Sequence, residues 1–581
     1  MLASGSLGAA LVLGEVATSG RSPLRVLDEQ AASTVQETTS NTSPRTGPSL
    51  SPYFLNAVYT TARTVHELDP SNSGGKHVRP ANLLVICSDQ HNPRILGASG
   101  DQAVATPNLD ALARSGTRFA SAYAASPICV PARAAMATGR YVHQTRNWDN
   151  ASPYTGEEAA SWGHRLVANG QRVTTIGKLH YRRPDDATGF PEQLVPMHVL
   201  DGTGDLYPLL RGDIELKTTA RDPILEAGPG GSEYTRYDEA IAARATEWLR
   251  TAPAGDAPWA LFVSFTSPHF PLRPPARHFQ PYADADLPLP TQWEFDDWPR
   301  HPALEQMRRL MVLDTPFDAE TFRRARAAYY GLVSFLDEQV GRVLAALRDT
   351  GLDAQTRVVY TSDHGDSVGA HGLWHKCTMY EESVGVPLVL AGPDVPAGRV
   401  VRTNASHLDV FPTVLEAVGA PSEPEDADLP GRSLWQVAHG PDQDRVVFSE
   451  YHANYSTAAT YMVRDRRYKY VHHVGFEPQL FDLVEDPHET RDLAGTPDAQ
   501  PAQSRLRDWL HDLLDPEATD AACKADAARK IDAAGGIDAV RAGGIRVKYS
   551  PAPREFDPEH PDGYREPDER PVAARAGGGR P

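Results

Sequence analysis

Two short apolar runs each end in an acid. Asn82-Leu-Leu-Val-Ile-Cys87 leads into Ser88-Asp89-Gln90, and Arg357-Val-Val-Tyr-Thr361 leads into Ser362-Asp363-His364-Gly365. Runs of this length and β-branched content read as buried strands, and open parallel sheets gather their chemistry at the C-terminal ends of such strands. Two acids and a histidine delivered to that edge invite a shared divalent cation. Two further runs behave alike. Val173-Thr-Thr-Ile-Gly177 leads into Lys178-Leu-His180, and Trp259-Ala-Leu-Phe-Val-Ser-Phe265 leads toward Pro268-His269. Four separate strand ends therefore carry polar chemistry.

The segment Ser126-Pro-Ile-Cys129-Val-Pro131-Ala-Arg133-Ala-Ala-Met-Ala-Thr-Gly139-Arg140 holds a cysteine at the start of a helical pattern. Pro131 suits the first turn of a helix and puts residue 129 at its N-terminus, where backbone donors and the dipole favour an oxyanion. Arg133 follows one turn along. The chain has four cysteines, Cys87, Cys129, Cys377 and Cys523, without close pairing or metal-finger spacing, which argues against a disulfide scaffold. A cysteine followed by proline and arginine in this register needs its own explanation.

The elements that must position these residues follow from patterning. From about Arg79 onward short apolar runs alternate with helical periods, the arrangement of a mainly parallel sheet covered by helices on both faces. Thr106-Pro107 opens one helix and Gly116 stops it. The stripe Tyr329, Leu332, Phe335, Leu336, Val340, Val343 and Leu347 runs along a long helix that feeds the second acid-bearing strand. Residues 1–78, rich in Ser, Thr, Gly and Pro, read as a disordered leader, residues 79–440 as the catalytic domain, and 441–515 as a small sheet subdomain. Residues 516–581 form a tail expected to be partly helical or disordered.

At 581 residues the chain can bury a large core. Its 57 Lys and Arg against 76 Asp and Glu give a net charge of −19, which opposes nucleic acid or an anionic membrane as partner. An anionic substrate must therefore meet a local cluster of cations. No run approaches the roughly 20 apolar residues of a membrane span. No Lys or Arg precedes the short apolar run near the N-terminus, and Glu15 interrupts it, so a cytoplasmic location is expected, with export through a weak signal as the alternative.

Cys129, Pro131 and Arg133, with the Thr138-Gly139-Arg140 ending, resemble the signature of sulfatases in the alkaline phosphatase superfamily. The resemblance covers roughly residues 80–515 and extends to Tyr329–Gly341 and Gln479–Pro487. It implies an α/β, alkaline-phosphatase-like sandwich with a large mixed, mainly parallel sheet flanked by helices, plus a small C-terminal α+β subdomain. It also implies that a maturation enzyme oxidises Cys129 to formylglycine, whose hydrate attacks the sulfur of a small sulfate ester with one hydroxyl and retains the other.

By the same resemblance Asp89, Gln90, Cys129, Asp363 and His364 surround one divalent ion. Oxygen ligands suit calcium and the histidine leans toward manganese. Arg133 belongs to the catalytic set; Lys178 binds sulfate, and His180 takes the proton of the retained hydroxyl. His269 and Lys376 protonate or stabilise the leaving oxygen, and Asn150 contacts the sulfate oxygens. The Asp-His pair, Trp374-His-Lys376 and Tyr468-Lys-Tyr470 look most like choline sulfatases and the related phosphonate and phosphate ester hydrolases. A choline substrate needs aromatic faces and a carboxylate, for which Trp293-Glu-Phe-Asp-Asp-Trp298 and Trp148-Asp149 are candidates. Choline sulfatases use their C-terminal tail to build a homo-oligomer, and residues 516–581 have no evident match to it. The alternatives are a phosphonate monoester or phosphodiester hydrolase using the same site, and a non-catalytic sulfatase-like binding protein.

Overall fold

The computed structural model describes residues 79–553 apart from 214, 215, 217, 253–256, 453, 454 and 546–549. The leader assigned to residues 1–78 lies outside the described residues, as do residues 554–581 of the tail.

Fourteen strands are present among the described residues. They are β1 (Asn82–Asp89), β2 (Thr117–Phe119), β3 (Ala122–Tyr123), β4 (Val173–Lys178), β5 (Glu192–Met197), β6 (Ala260–Pro268) and β7 (Thr356–Ser362). There follow β8 (Leu388–Ala391), β9 (Arg399–Val401), β10 (Ala405–Ser406), β11 (Val447–Tyr451), β12 (Thr460–Arg464), β13 (Tyr468–His473) and β14 (Gln479–Asp482). Eight of them form one sheet in the order β5-β4-β6-β1-β7-β8-β2-β9. Only β8 runs against its neighbours, pairing antiparallel with both β7 and β2. The sheet is thus mixed but mainly parallel.

Alternation along β1 divides the core. Leu83, Val85 and Cys87 join one apolar cluster with Ala134 and Met136, whereas Leu84 and Ile86 join another with Leu336, Val340 and Val343. A strand buried on both faces must be apolar at every position, which is why β1 reads as a continuous run. The long helix Ala319–Asp349 covers the second face. Asp318 caps it by accepting from Thr321 N–H at 2.9 Å, and Arg348 sits in its last turn. On the first face lies the helix Cys129–Thr138, all ten of whose residues are buried; it ends at Gly139, whose φ of 69° is the left-handed stop that glycine allows.

Strands β11–β14 form a separate antiparallel sheet, against which the helix Gln500–Leu513 packs through Leu506 and Leu510. Beyond it the tail is helical over Pro516–Ala533 and Ile537–Gly543. Among the described residues no helix is long and apolar enough to cross a membrane.

Candidate active site

Four adjacent strands, β4-β6-β1-β7, run parallel, so their C-terminal ends open on one edge. Ser88 pairs with Ser362 in register, which sets Asp89 beside Asp363, and Gly177 pairs with Ser264, which brings Lys178 to the same edge. Gly177 has φ of 98°, and a Cβ there would collide with the carbonyl of Ser264. The turn that aims Lys178 therefore requires glycine. His269 lies between the cis Ser267–Pro268 and Phe270–Pro271 peptides at the end of β6.

Asp89, Cys129, Asp363 and His364 are buried, and each offers a ligand atom within 4.8 Å of the others. His364 Nε2 is 3.2 Å from Cys129 Sγ, 3.5 Å from Asp363 Oδ1 and 3.9 Å from Asp89 Oδ1. The other nitrogen, Nδ1, is 3.0 Å from the Gly365 carbonyl and donates to it, which leaves the Nε2 lone pair facing the centre. The two carboxylates divide their oxygens in the same way. Asp363 Oδ2 accepts from Arg133 Nε at 2.8 Å and Asp89 Oδ2 accepts from Arg133 at 3.3 Å and from Lys178. Their Oδ1 atoms face His364. This donor set, two hard carboxylate oxygens and an oriented imidazole around residue 129, fits a divalent cation.

Arg133 spends its donors on this arrangement. Besides the two acids it reaches the carbonyl of Lys178 at 2.7 Å and the hydroxyl of Ser264 at 2.9 Å. Burial opposes its charge, but Asp363 and Asp89 hold the guanidinium firmly protonated. For Asp89 burial favours the neutral acid, and Lys178, Lys376 and Arg133 outweigh it, keeping the carboxyl well below its usual range.

Lys376 Nζ lies 3.2 Å from Cys129 Sγ and 2.7 Å from Gln90 Oε1. Burial would lower its pKa, but Cys129, Asp89 and Asp363 raise it, so the ammonium stays charged. Around Cys129 burial and Asp89 push the thiol up while Lys376, Lys178 and His364 pull it below its ordinary value. Cys87 and Cys523, by contrast, are pushed up to about 12 by burial. Gln90 has its amide occupied at both ends, by Lys376 and by Asp366, a residue that sequence reasoning did not single out. Its backbone N–H donates to Asp363 Oδ1 at 3.0 Å.

Asn150, Lys178, His180, His269 and Lys376 line one cavity with Cys129, about 120 Å³ in volume. Asn150 Oδ1 accepts from Val130 N–H at 3.1 Å and so caps the helix that Cys129 begins. His269 Nδ1 is 2.6 Å from the Phe270 carbonyl, which leaves Nε2 as its available nitrogen. Burial, together with Lys178 and Arg133 for His180 and Lys376 for His269, holds both imidazoles neutral. Gln90, His180, His375 and Cys377 all have positive φ, between 57° and 83°, so four side-chain-bearing residues in or beside the site adopt a conformation that costs energy elsewhere.

Asp366 is not the only contributor that sequence reasoning missed. Asp238 accepts from the N–H groups of Thr266 and Ser267 at 2.7 and 2.8 Å and so anchors the end of β6 that carries His269. Tyr234 walls the cavity, and Ser550 reaches it from the tail. The two aromatic and acidic runs proposed as a cation cage lie elsewhere. Trp293, Glu294, Phe295 and Trp298 line a different cavity with Phe317 and Trp374, and Trp148 is buried with its indole N–H on Asp526 at 2.7 Å. Asp149 is turned to its own loop, accepting from Ala151 N–H and the Ser152 hydroxyl. The aromatic faces at the Cys129 cavity are instead Tyr234, Phe270 and Tyr455, and no carboxylate lines it among the described residues.

The family profile described as Sulfatase matches residues 81–420. The chain belongs to the sulfatase family. As a sulfatase it is an enzyme of the sulfuric ester hydrolase class, and a second profile, N-sulphoglucosamine sulphohydrolase C-terminal, matches residues 369–515. A choline-sulfatase of Rhizobium meliloti (strain 1021) is 33% identical over 469 residues, covering 76% of this sulfatase and 88% of the relative. Arylsulfatase K of Danio rerio is 32% identical over 442 residues, covering 72% and 81%. Among solved structures, the phosphonate monoester hydrolase of Agrobacterium radiobacter superposes with a TM-score of 0.59 at 25% identity, covering 74% of this chain and 95% of its own.

Proposed function

We propose that the chain hydrolyses small sulfate monoesters through a formylglycine made from Cys129, with a divalent cation, calcium or manganese, held by Asp89, Asp363 and His364. The observation that carries this reading is the convergence of those three side chains and Cys129 Sγ within 4.8 Å at a helix N-terminus. When formed, the hydrated aldehyde supplies an oxygen nucleophile and the cation supplies Lewis acidity toward it and the ester oxygens.

The chain's own residues supply the rest. Lys178 and Lys376 bring positive charge to the sulfate oxygens, and the free face of Asn150 adds a polar contact on the same cavity wall. Arg133 keeps the two carboxylates in place and ionised. His180, neutral at pH 7, accepts a proton from the hydroxyl retained at residue 129. Lys376, charged and 3.2 Å from residue 129, stabilises the departing oxygen, and His269 lines the same cavity. Tyr234, Phe270, Met311 and Tyr455 present apolar and aromatic surface to the alcohol portion. The choline-sulfatase relative supports a quaternary ammonium alcohol there, held by cation–π contact alone, since the carboxylate expected for choline is not in the cavity lining among the described residues.

A second reading, hydrolysis of phosphonate monoesters or phosphodiesters, is favoured by the likeness to the Agrobacterium hydrolase. The same cations suit either transition state. Relative kcat/KM on choline sulfate, nitrophenyl sulfate, a nitrophenyl phosphonate and a bis-nitrophenyl phosphate separates the readings. Sulfates are expected to lead by at least about a hundredfold, which corresponds to roughly 2.7 kcal/mol of differential transition-state binding. A phosphonate or diester in front overturns the assignment.

A further inference from the structure

The tail contributes to the site in a way that neither matched family region contains, since those regions end at residues 420 and 515. Its helix Pro516–Ala533 is fastened to the loop that carries Asn150. Trp148 donates to Asp526 at 2.7 Å, Lys530 donates to the Ala151 carbonyl at 2.8 Å, and Cys523 packs with Val142 and Trp148. Farther on, Ser550 stands in the wall of the Cys129 cavity. Its carbonyl accepts from the Tyr234 hydroxyl at 2.6 Å, its hydroxyl lies 2.9 Å from His180 Nε2, and Ala552 packs against the core cluster behind.

His180 has few other restraints. Its backbone sits at φ of 57°, its N–H donates to the Met197 carbonyl at 2.9 Å, and its Nδ1 is buried with no hydrogen-bond partner among the described residues. A buried imidazole nitrogen without a partner is unusual, and here it belongs to the ring that must take a proton. Around that ring the charged and titratable groups are Lys178, Arg133, Asp89 and His269. None of them hydrogen-bonds to either ring nitrogen.

We infer that Ser550, supplied by this chain's own C-terminal segment, is a positioning residue that fixes the orientation and tautomer of His180; the inference rests on the reading of His180 as proton acceptor. A serine hydroxyl can accept from Nε2–H, and an imidazole that donates there keeps its lone pair on Nδ1. The unpartnered Nδ1 is then the basic nitrogen, and Ser550, itself clamped by Tyr234, plays the orienting part that a third group plays beside any catalytic base.

The test compares Ser550→Ala and Ser550→Thr in the full-length, matured, metal-loaded enzyme with nitrophenyl sulfate. Ser550→Ala is expected to lose about tenfold in kcat with KM changed less than about twofold, and Ser550→Thr, which keeps the hydroxyl, to return most of that loss. Thermal midpoints of both variants should stay with the wild type. An unchanged kcat, a loss confined to KM, or an equal loss in Ser550→Thr overturns the inference. Ring-nitrogen NMR of labelled histidine, assigned by His180→Asn, reads the tautomer without turnover. Loss of the Nε2–H form in Ser550→Ala supports the contact, and an identical spectrum rejects it. A wild type inert toward every sulfate ester while the tautomer still responds to Ser550 would instead count against the sulfatase reading.

Discussion

His364 Nε2 stands 3.2 Å from Cys129 Sγ, although the two residues are separated by 235 positions and arrive from a strand end and a helix start. Because Nδ1 donates to Gly365, the nitrogen nearest residue 129 is the one with a lone pair to give. That relationship leads to the first prediction. Wild-type protein should take up a single divalent ion per chain with a rise in thermal midpoint, and Asp363→Asn or His364→Ala should weaken uptake by at least about tenfold to a hundredfold. Calorimetric titration with calcium and with manganese measures this. Undiminished affinity in both variants places the ion elsewhere.

Arg133 joins Asp363 and Asp89 with almost no exposure to solvent. Removing it leaves Lys178, on Asp89, as the lysine or arginine still in direct contact with the two buried carboxylates among the described residues, so Arg133→Met is expected to lose about 3–5 kcal/mol of stability. Urea unfolding reads the loss. A near-neutral result means that Lys178 alone neutralises the pair.

Lys376→Ala should lower kcat by about a hundredfold or more, in the range of a lost transition-state donor. The dependence on substrate is the sharper measurement. If Lys376 stabilises the departing oxygen, the loss grows along a series of aryl sulfates as the phenol becomes less acidic. A uniform loss assigns the lysine to sulfate binding alone.

Much of this site is legible in the sequence because strand ends and a helix start are local features. Asp89, Asp363 and Lys178 each follow a run of apolar residues, and a run buried on both faces has a recognisable composition. What could not be read is the order β4-β6-β1-β7, which decides that these particular ends are neighbours. Gln90 shows the limit of a position-by-position reading. A φ of 69° and a lysine 286 residues away turn its amide to Lys376 and Asp366. The run from Trp293 to Trp298 has the composition of a cation cage, but packing of Trp298 against Gly372 and Arg308 carries it to another cavity. Ser550 and His180 are 370 residues apart, and nothing in the Ala- and Gly-rich tail marks its one serine as part of a site.

Glu450, on β11, joins the C-terminal sheet to the short helix after the Cys129 helix, accepting from His143 at 2.9 Å and from His452 at 2.7 Å. Burial pushes its pKa up, but His143 and His452 bring it down from an ordinary 4.5 to about 2. A depressed carboxylate pKa contributes stability that is fully present above the unfolded value and lost as pH falls through the folded one. The window is therefore from 4.5 down to about 2. The contribution is on the order of 3 kcal/mol. His143 moves the opposite way, since burial lowers its pKa but Glu450 outweighs burial and raises it, so its part is complete below 6.5 and fades as pH rises through the raised value. Glu450→Gln should lose stability at pH 5–6 and flatten the acid limb of the unfolding profile. Parallel wild-type and variant profiles down to pH 2 would exclude this account.

The central claim is that residue 129 works as an oxygen nucleophile and not as a thiol. Peptide mass spectrometry across residue 129, after expression with a formylglycine-generating enzyme, tests it most directly. The account predicts a peptide lighter by roughly 18 Da, with turnover rising in proportion to its fraction. A peptide carrying only unmodified cysteine in fully active enzyme contradicts it.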